Sequence, residues 1–352
     1  MHPLRRVAGA LLGACLVVGA CLVVACLGCA SPPPPLYDPE SLRQELYRRL
    51  PDVPRDEVVV PYEVDPVAVE RARSAIRRTD PMQAQVQQLV DLLSDGEGFG
   101  LSYLWAVNNS AARVLADQGG NCMGLSSVLV GLARSLGLRA YYVDVSFDPE
   151  ERQEEYVRVS AGHVAVVVFG DSSPVVVDFT GELRRGYRHR RIGDLEATAH
   201  YYNNLGYERI HRAEKAGAEV DWAAVRREFA RATRVAPALA RAWNNLGVAS
   251  ARLGALGQAE RSYRRALQLD PGLESTSKNL AGLLRASESS GGEAAIDPRL
   301  TPSELPAAPT GAVGARGLRE ATKVTRSDVI EITPGSRPRS QSAGESPPVE
   351  AR

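Results

Sequence analysis

Two stretches of the chain, 34 residues apart, carry the same pattern: Phe229, Ala232 and Pro237 align with Tyr263, Ala266 and Pro271. In each, an aromatic residue and an alanine lie on one helical face, and the proline ends the helix. Trp243, Leu246 and Gly247 open the second unit, and Ala259 and Tyr263 continue it. Tyr202, Leu205 and Gly206 open an earlier unit, 41 rather than 34 residues upstream of Trp243, so that unit holds seven extra residues, placed around 215–221. A hairpin of two helices this short cannot bury its apolar face alone and has to stack on its neighbours. A closing helix is predicted over 276–286. Two units and a cap are few, so they are expected to pack against the domain before them.

The N-terminus has another character. Arg5 and Arg6 precede a nearly unbroken apolar run over 7–28, then Cys29, Ala30, Ser31 and four prolines at 32–35. A basic start, an apolar stretch and small residues before a break describe an export signal. A run of about 20 apolar residues is also long enough to stay as an uncleaved anchor. Leu27-Gly28-Cys29 resembles the bacterial lipoprotein signal, whose cysteine is lipidated and becomes the new N-terminus; Cys26, after Val23, Val24 and Ala25, is the alternative. The resemblance implies a lipoprotein of the bacterial cell envelope, held on a membrane and facing the periplasm. Lys plus Arg equals Asp plus Glu at 42 each, so no excess charge points to nucleic acid.

Four of the five cysteines lie in that leader, which leaves Cys122 alone in the body of the chain. Leu125, Val128, Leu129, Leu132 and Leu136 follow it at helical spacing, and Gly137 supplies the stop. Asn121 is the expected N-cap. A cysteine on the first turn of a helix sits where unpaired N–H groups and the helix dipole favour negative charge, which suits a nucleophile. The competing reading is a small buried hydrophobe.

Upstream of Cys122, helices are expected over 39–50, 66–78, 81–93 and 101–118, the last carrying Tyr103, Leu104, Val107, Ala111, Val114 and Leu115. Downstream, the period changes to two and the residues become β-branched, predicting strands over 139–147, 156–160, 163–169 and 174–180. Helices followed by an antiparallel sheet make an α+β domain.

His163 begins one of these strands, and Asp178 ends a Val175-Val176-Val177 run, where a carboxylate is costly unless paired. A two-residue turn between the strands would set His163 opposite Asp178; a four-residue loop over 170–173 would set them diagonally on the same face. Either register makes a His-Asp pair. With Cys122 brought in from its helix, this is the nucleophile, base and orienter of thiol catalysis. The bland reading is a structural pair between two strands.

Gly120-Asn121-Cys122 at a helix start, Gly162-His163 and Val177-Asp178, in that order, resemble the transglutaminase-like superfamily with its papain-like Cys-His-Asp core. Gly100-Leu101-Ser102-Tyr103 extends the resemblance, which covers about 84–182. It implies amide or ester chemistry on protein or peptide substrates through Cys122, His163 and Asp178, without a cofactor. Outside the leader the sequence offers no CxxC or HxxxH spacing for a metal. Gly124 stands where family members often carry an acidic residue. The 34-residue units resemble tetratricopeptide repeats, whose groove binds proteins or peptides. Laid on that repeat, Asn204, Asn245 and Asn279 share one first-helix position, with Asn203 and Asn244 beside the first two. Such a column either holds a peptide backbone or ties neighbouring helices together.

The expected organisation is a signal peptide at 1–28, a tether and lead-in at 29–65, a catalytic domain at 66–182, a basic linker at 183–198, two repeats with a capping helix at 199–286, and a disordered tail at 287–352 with one short strand near 324–332. In class this is a papain-like α+β core followed by an all-α repeat module. The competing function is a non-catalytic envelope scaffold that works through its repeats.

Overall fold

Aspartates with a proline behind them start the first two helices among the described residues. Asp38 caps α1 (Pro39–Arg49), its Oδ1 accepting from Ser41 N at 2.9 Å, and Asp65 caps α2 (Pro66–Ala75), accepting from Ala68 N at 2.8 Å. The computed structural model describes residues 33–146, 163–170, 173–180, 188–289 and 330–332. α3 (Met82–Ser94), the helix expected over 81–93, buries Val86, Leu89, Val90 and Leu93 at helical spacing.

The helix expected over 101–118 forms only in its second half. Ser102–Tyr103 is a short strand, β1, and the helix α4 spans Ala111–Asp117. β1 pairs in parallel with β2 (Gly119–Gly120). The physical reason lies in Asn108, Asn109 and Ser110, residues whose side chains compete for backbone bonds and favour loops and caps; Ser110 stands at the N-cap of α4.

α5 (Cys122–Ser135) is the centre of the domain, with every residue from Cys122 to Ala133 buried. It lies on a sheet of β3 (Arg139–Ser146), β4 (His163–Phe169), β5 (Val175–Val177), β6 (Arg188–Ile192) and β7 (Ile330–Ile332), in the order β6-β3-β4-β5-β7. Neighbours are antiparallel except β7, which adds in parallel to β5 with Val175 opposite Ile330. Ala140, Tyr142, Val164, Val166, Val168, Val175 and Val177 join the core with α5, while Tyr141, Val143, Val145, Ala165, Val167 and Val176 form a second apolar cluster. Both faces are buried, which explains valine runs without polar alternation. The strand expected at 156–160 lies outside the described residues.

The described part of the basic run begins with a strand. Arg188–Ile192 is strand β6, paired with β3; Arg190 bonds Asp144 at 3.3 Å and Glu196, and Arg191 lies 5.0 Å from the Phe169 ring centroid. The long stems cover the sheet while the charges find carboxylates or a ring face. The lead-in is likewise more than a tether: Leu42, Leu46 and Leu50 are fully buried, Arg49 donates to Val235 O at 3.0 Å, and Arg234 pairs with Asp52. In the tail, 330–332 is the strand foreseen there.

The repeats form α6 (Asp194–Lys215), α7 (Trp222–Val235), α8 (Ala240–Arg252), α9 (Leu256–Leu269) and α10 (Glu274–Ser289). The seven extra residues of the first unit split between a longer α6 and a longer connection to α7. Each hairpin closes through a glycine against an aromatic ring: a Cβ on Gly206 would stand 2.4 Å from Phe229 Cε1, and one on Gly247 2.5 Å from Tyr263 Cε1. Gly247→Ala is therefore expected to cost about 1–3 kcal/mol by overpacking, read as a lower urea midpoint at unchanged m-value.

The described residues from Pro35 onward pack as one compact unit. Its tightest knot is Asp194, at the start of α6. Its carboxylate accepts from Arg134 of α5 at 2.8 and 2.9 Å and from Tyr37 N at 2.8 Å, while Tyr62 Oη donates to Tyr37 O at 2.8 Å. One aspartate thus joins the lead-in, the central helix and the first repeat helix.

Candidate active site

Cys122 is the first residue of α5, capped by Asn121, whose Oδ1 accepts from Gly124 N at 3.1 Å. The cap uses one of the first-turn donors and leaves those nearer the thiol. A Cβ on Gly124 would stand 2.9 Å from Asn109 O and 2.8 Å from Val114 Cγ2. No side chain fits there, so the departure from the expected acidic residue is a packing requirement.

β4 and β5 bring in the other two residues. Val166 pairs with Val177, the register of the four-residue loop, so Asp178 lies diagonal to His163. His163 Nε2 is 3.0 Å from Asp178 Oδ1, and the Cys122 thiol is a hydrogen-bond partner of the same ring. The sequence-predicted set Cys122, His163 and Asp178 is therefore together in space. Cys122 is 8 % exposed and Asp178 2 %.

Burial opposes charge on the His163 ring, but the bonds from Asp178 and Cys122 outweigh it and push its pKa up to about 10. Asp178 shows the converse: burial would raise its carboxyl, yet His163 and the Thr180 donors hold it below the ordinary carboxylate range. Thr180, absent from the sequence reading, gives its hydroxyl to Asp178 at 2.8 Å and its N–H to Oδ1 at 3.1 Å, fixing the orienter. A hydroxyl two residues after the aspartate was the visible signal.

Asn108 was also missed. It is 2 % exposed and its Oδ1 accepts from Asn121 Nδ2 at 3.3 Å. Its signal was a carboxamide inside an apolar stripe.

The asparagine column is spent on itself. Asn245 Nδ2 donates to Asn203 Oδ1 at 2.7 Å, Asn244 Nδ2 to Asn245 Oδ1 at 3.1 Å, and Asn279 Nδ2 to Asn244 Oδ1 at 2.9 Å. All four are buried, as is Asn204, whose Oδ1, like that of Asn279, meets no hydrogen-bond partner among the described residues. Of the two readings of the column, these bonds are those of a helix tie: Asn203, Asn244, Asn245 and Asn279 join α6, α8 and α10. Cys29 and Cys26 lie outside the described residues.

Comparison with known proteins finds two family matches in the chain. Residues 70–179 match the family model of the transglutaminase-like superfamily, and residues 240–273 match that of the tetratricopeptide repeat. No curated protein matches the chain. The chain carries a transglutaminase-like domain followed by a helical tetratricopeptide-repeat region.

Proposed function

We propose that the protein is an exported, lipid-anchored thiol enzyme that acts on amide or ester bonds of protein or peptide substrates, its repeats binding the partner or substrate. The observation that carries this reading is His163 held between the Cys122 thiol and the Asp178 carboxylate. His163 takes the thiol proton as the sulfur becomes the nucleophile. Sulfur attacks the carbonyl carbon, forming a C–S bond and moving the π electrons onto oxygen, where the N–H of Cys122 is the nearest first-turn donor. Collapse breaks the C–N bond as His163 gives its proton to the leaving amine. Water, deprotonated by His163, then breaks the C–S bond and releases the acid. An amine in the place of water would give transfer.

The test is direct acylation. Incubated with p-nitrophenyl acetate at neutral pH, the protein should gain one acetyl group at Cys122 by mass spectrometry, lost again on adding hydroxylamine. A scaffold with a structural triad is the competing reading, favoured by the burial of Cys122. No acetyl at Cys122 above that on denatured protein would select it.

The leader supports the address through Leu27-Gly28-Cys29. Mass spectrometry of the mature protein should find a diacylglyceryl cysteine at residue 29, abolished by Cys29→Ser. An intact Met1 would mean an uncleaved anchor, and lipid on Cys26 would move the site while keeping the class.

A further inference from the structure

The loop between β1 and α4 is held from two sides. Toward the nucleophile, Leu104 N donates to Gly120 O at 2.9 Å and Asn121 N to Val107 O at 2.7 Å. Toward the repeats, the Trp105 ring lies 5.8 Å from Tyr207 and 4.8 Å from His211, both on α6. Asn108 joins the two sides. It receives Asn121 Nδ2 on its own Oδ1, gives Nδ2 to Tyr201 O at 2.9 Å, and gives its backbone N–H to Glu208 Oε2 at 3.4 Å.

The direction of these bonds matters. Asn121 can cap Gly124 only with its oxygen, which obliges its NH₂ to point the other way, at Asn108. Asn108 Oδ1 can accept that NH₂ because its own NH₂ is given to α6. A reversed Asn121 would set two donors against each other at the turn that carries Cys122. The two carboxamides thus form one buried chain from the helix cap to the repeat helix, and buried chains of this kind hold a single arrangement.

Resting on the catalytic reading of Cys122, we propose that Asn108 is a positioning residue for the nucleophile and that, through it, the first repeat helix is part of the catalytic centre. α6 sets the orientation of the first turn of α5. The repeats are then a wall of the enzyme as well as a binding surface, and what moves α6 also moves the thiol's donors.

The experiment measures the pH profile of iodoacetamide alkylation at Cys122 in the full chain. Asn108→Ala removes the acceptor. Asn121→Ser keeps an oxygen for the cap but is too short to reach Asn108. Both are expected to slow alkylation at neutral pH by roughly tenfold or more and to displace the profile, since small misplacements of a reacting group are costly. Asp221→Ala, which removes the cap bond to Ala224 N (2.9 Å) on α7, lowers stability elsewhere and should leave the profile in place. A wild-type profile in Asn108→Ala, or the same displacement in Asp221→Ala, overturns the proposal. His163→Ala separates the two claims: if it leaves the profile unchanged while Asn108→Ala alters it, the catalytic reading fails and the positioning role stands.

Discussion

His163→Ala is expected to slow acetylation of Cys122 by p-nitrophenyl acetate by about 10²–10⁴-fold, the usual contribution of a positioned acid-base group. The wild-type rate should also show an alkaline limb near pH 10 that the variant lacks, because the ring's pKa is raised to about 10. The sign follows from the direction of the shift. The ordinary pKa of His is about 6.5, so the charged ring stabilises the fold in full below that value and loses its contribution as pH rises through about 10. Thermal unfolding scanned from pH 6 to 10.5 should therefore fall more steeply in the wild type than in His163→Ala. Equal acetylation rates in the two proteins would leave His163 as a strand-pairing residue only.

Asp194→Ala is expected to be the most destabilising single change in the described body. It strips the partner from Arg134, whose side chain is 14 % exposed, and leaves Tyr37 N without its acceptor. Breaking a buried pair from one side costs about 3–5 kcal/mol, a fall of roughly 10 °C in Tm for a body of this size. The double variant Arg134→Met, Asp194→Ala should recover much of the loss, because no buried charge is then left unpaired. A double variant as unstable as the single one would shift the cost to the Tyr37 contact.

The triad was legible because each of its residues broke a local pattern: a thiol at a helix start, a histidine at the head of a valine strand, an aspartate closing another. The repeats were legible through their period. The stretch over 101–110 was misread because its apolar spacing suits a helix, while its true partners, Gly119–Gly120, come after the next helix in the chain. The charge of β6 hid a strand whose partners Asp144 and Phe169 lie far away in sequence. Likewise Asn203 and Asn245 bond across two helices, and a sequence pattern places both on one face without saying whether they reach outward or toward each other.

The packed lead-in also bears on where such an enzyme could work. Tyr37, close to the start of the described residues, is already bonded to Asp194 through its N–H. With Cys29 as the lipidated residue of the proposed anchor, only residues 30–36 stand between the lipid and Tyr37, four of them prolines. At about 3.1 Å per residue for such a stretch, its reach is roughly 25 Å. A leash of that length keeps the catalytic centre within about one protein diameter of the bilayer, so it could patrol only the layer next to the membrane, and its substrates would have to come to that layer.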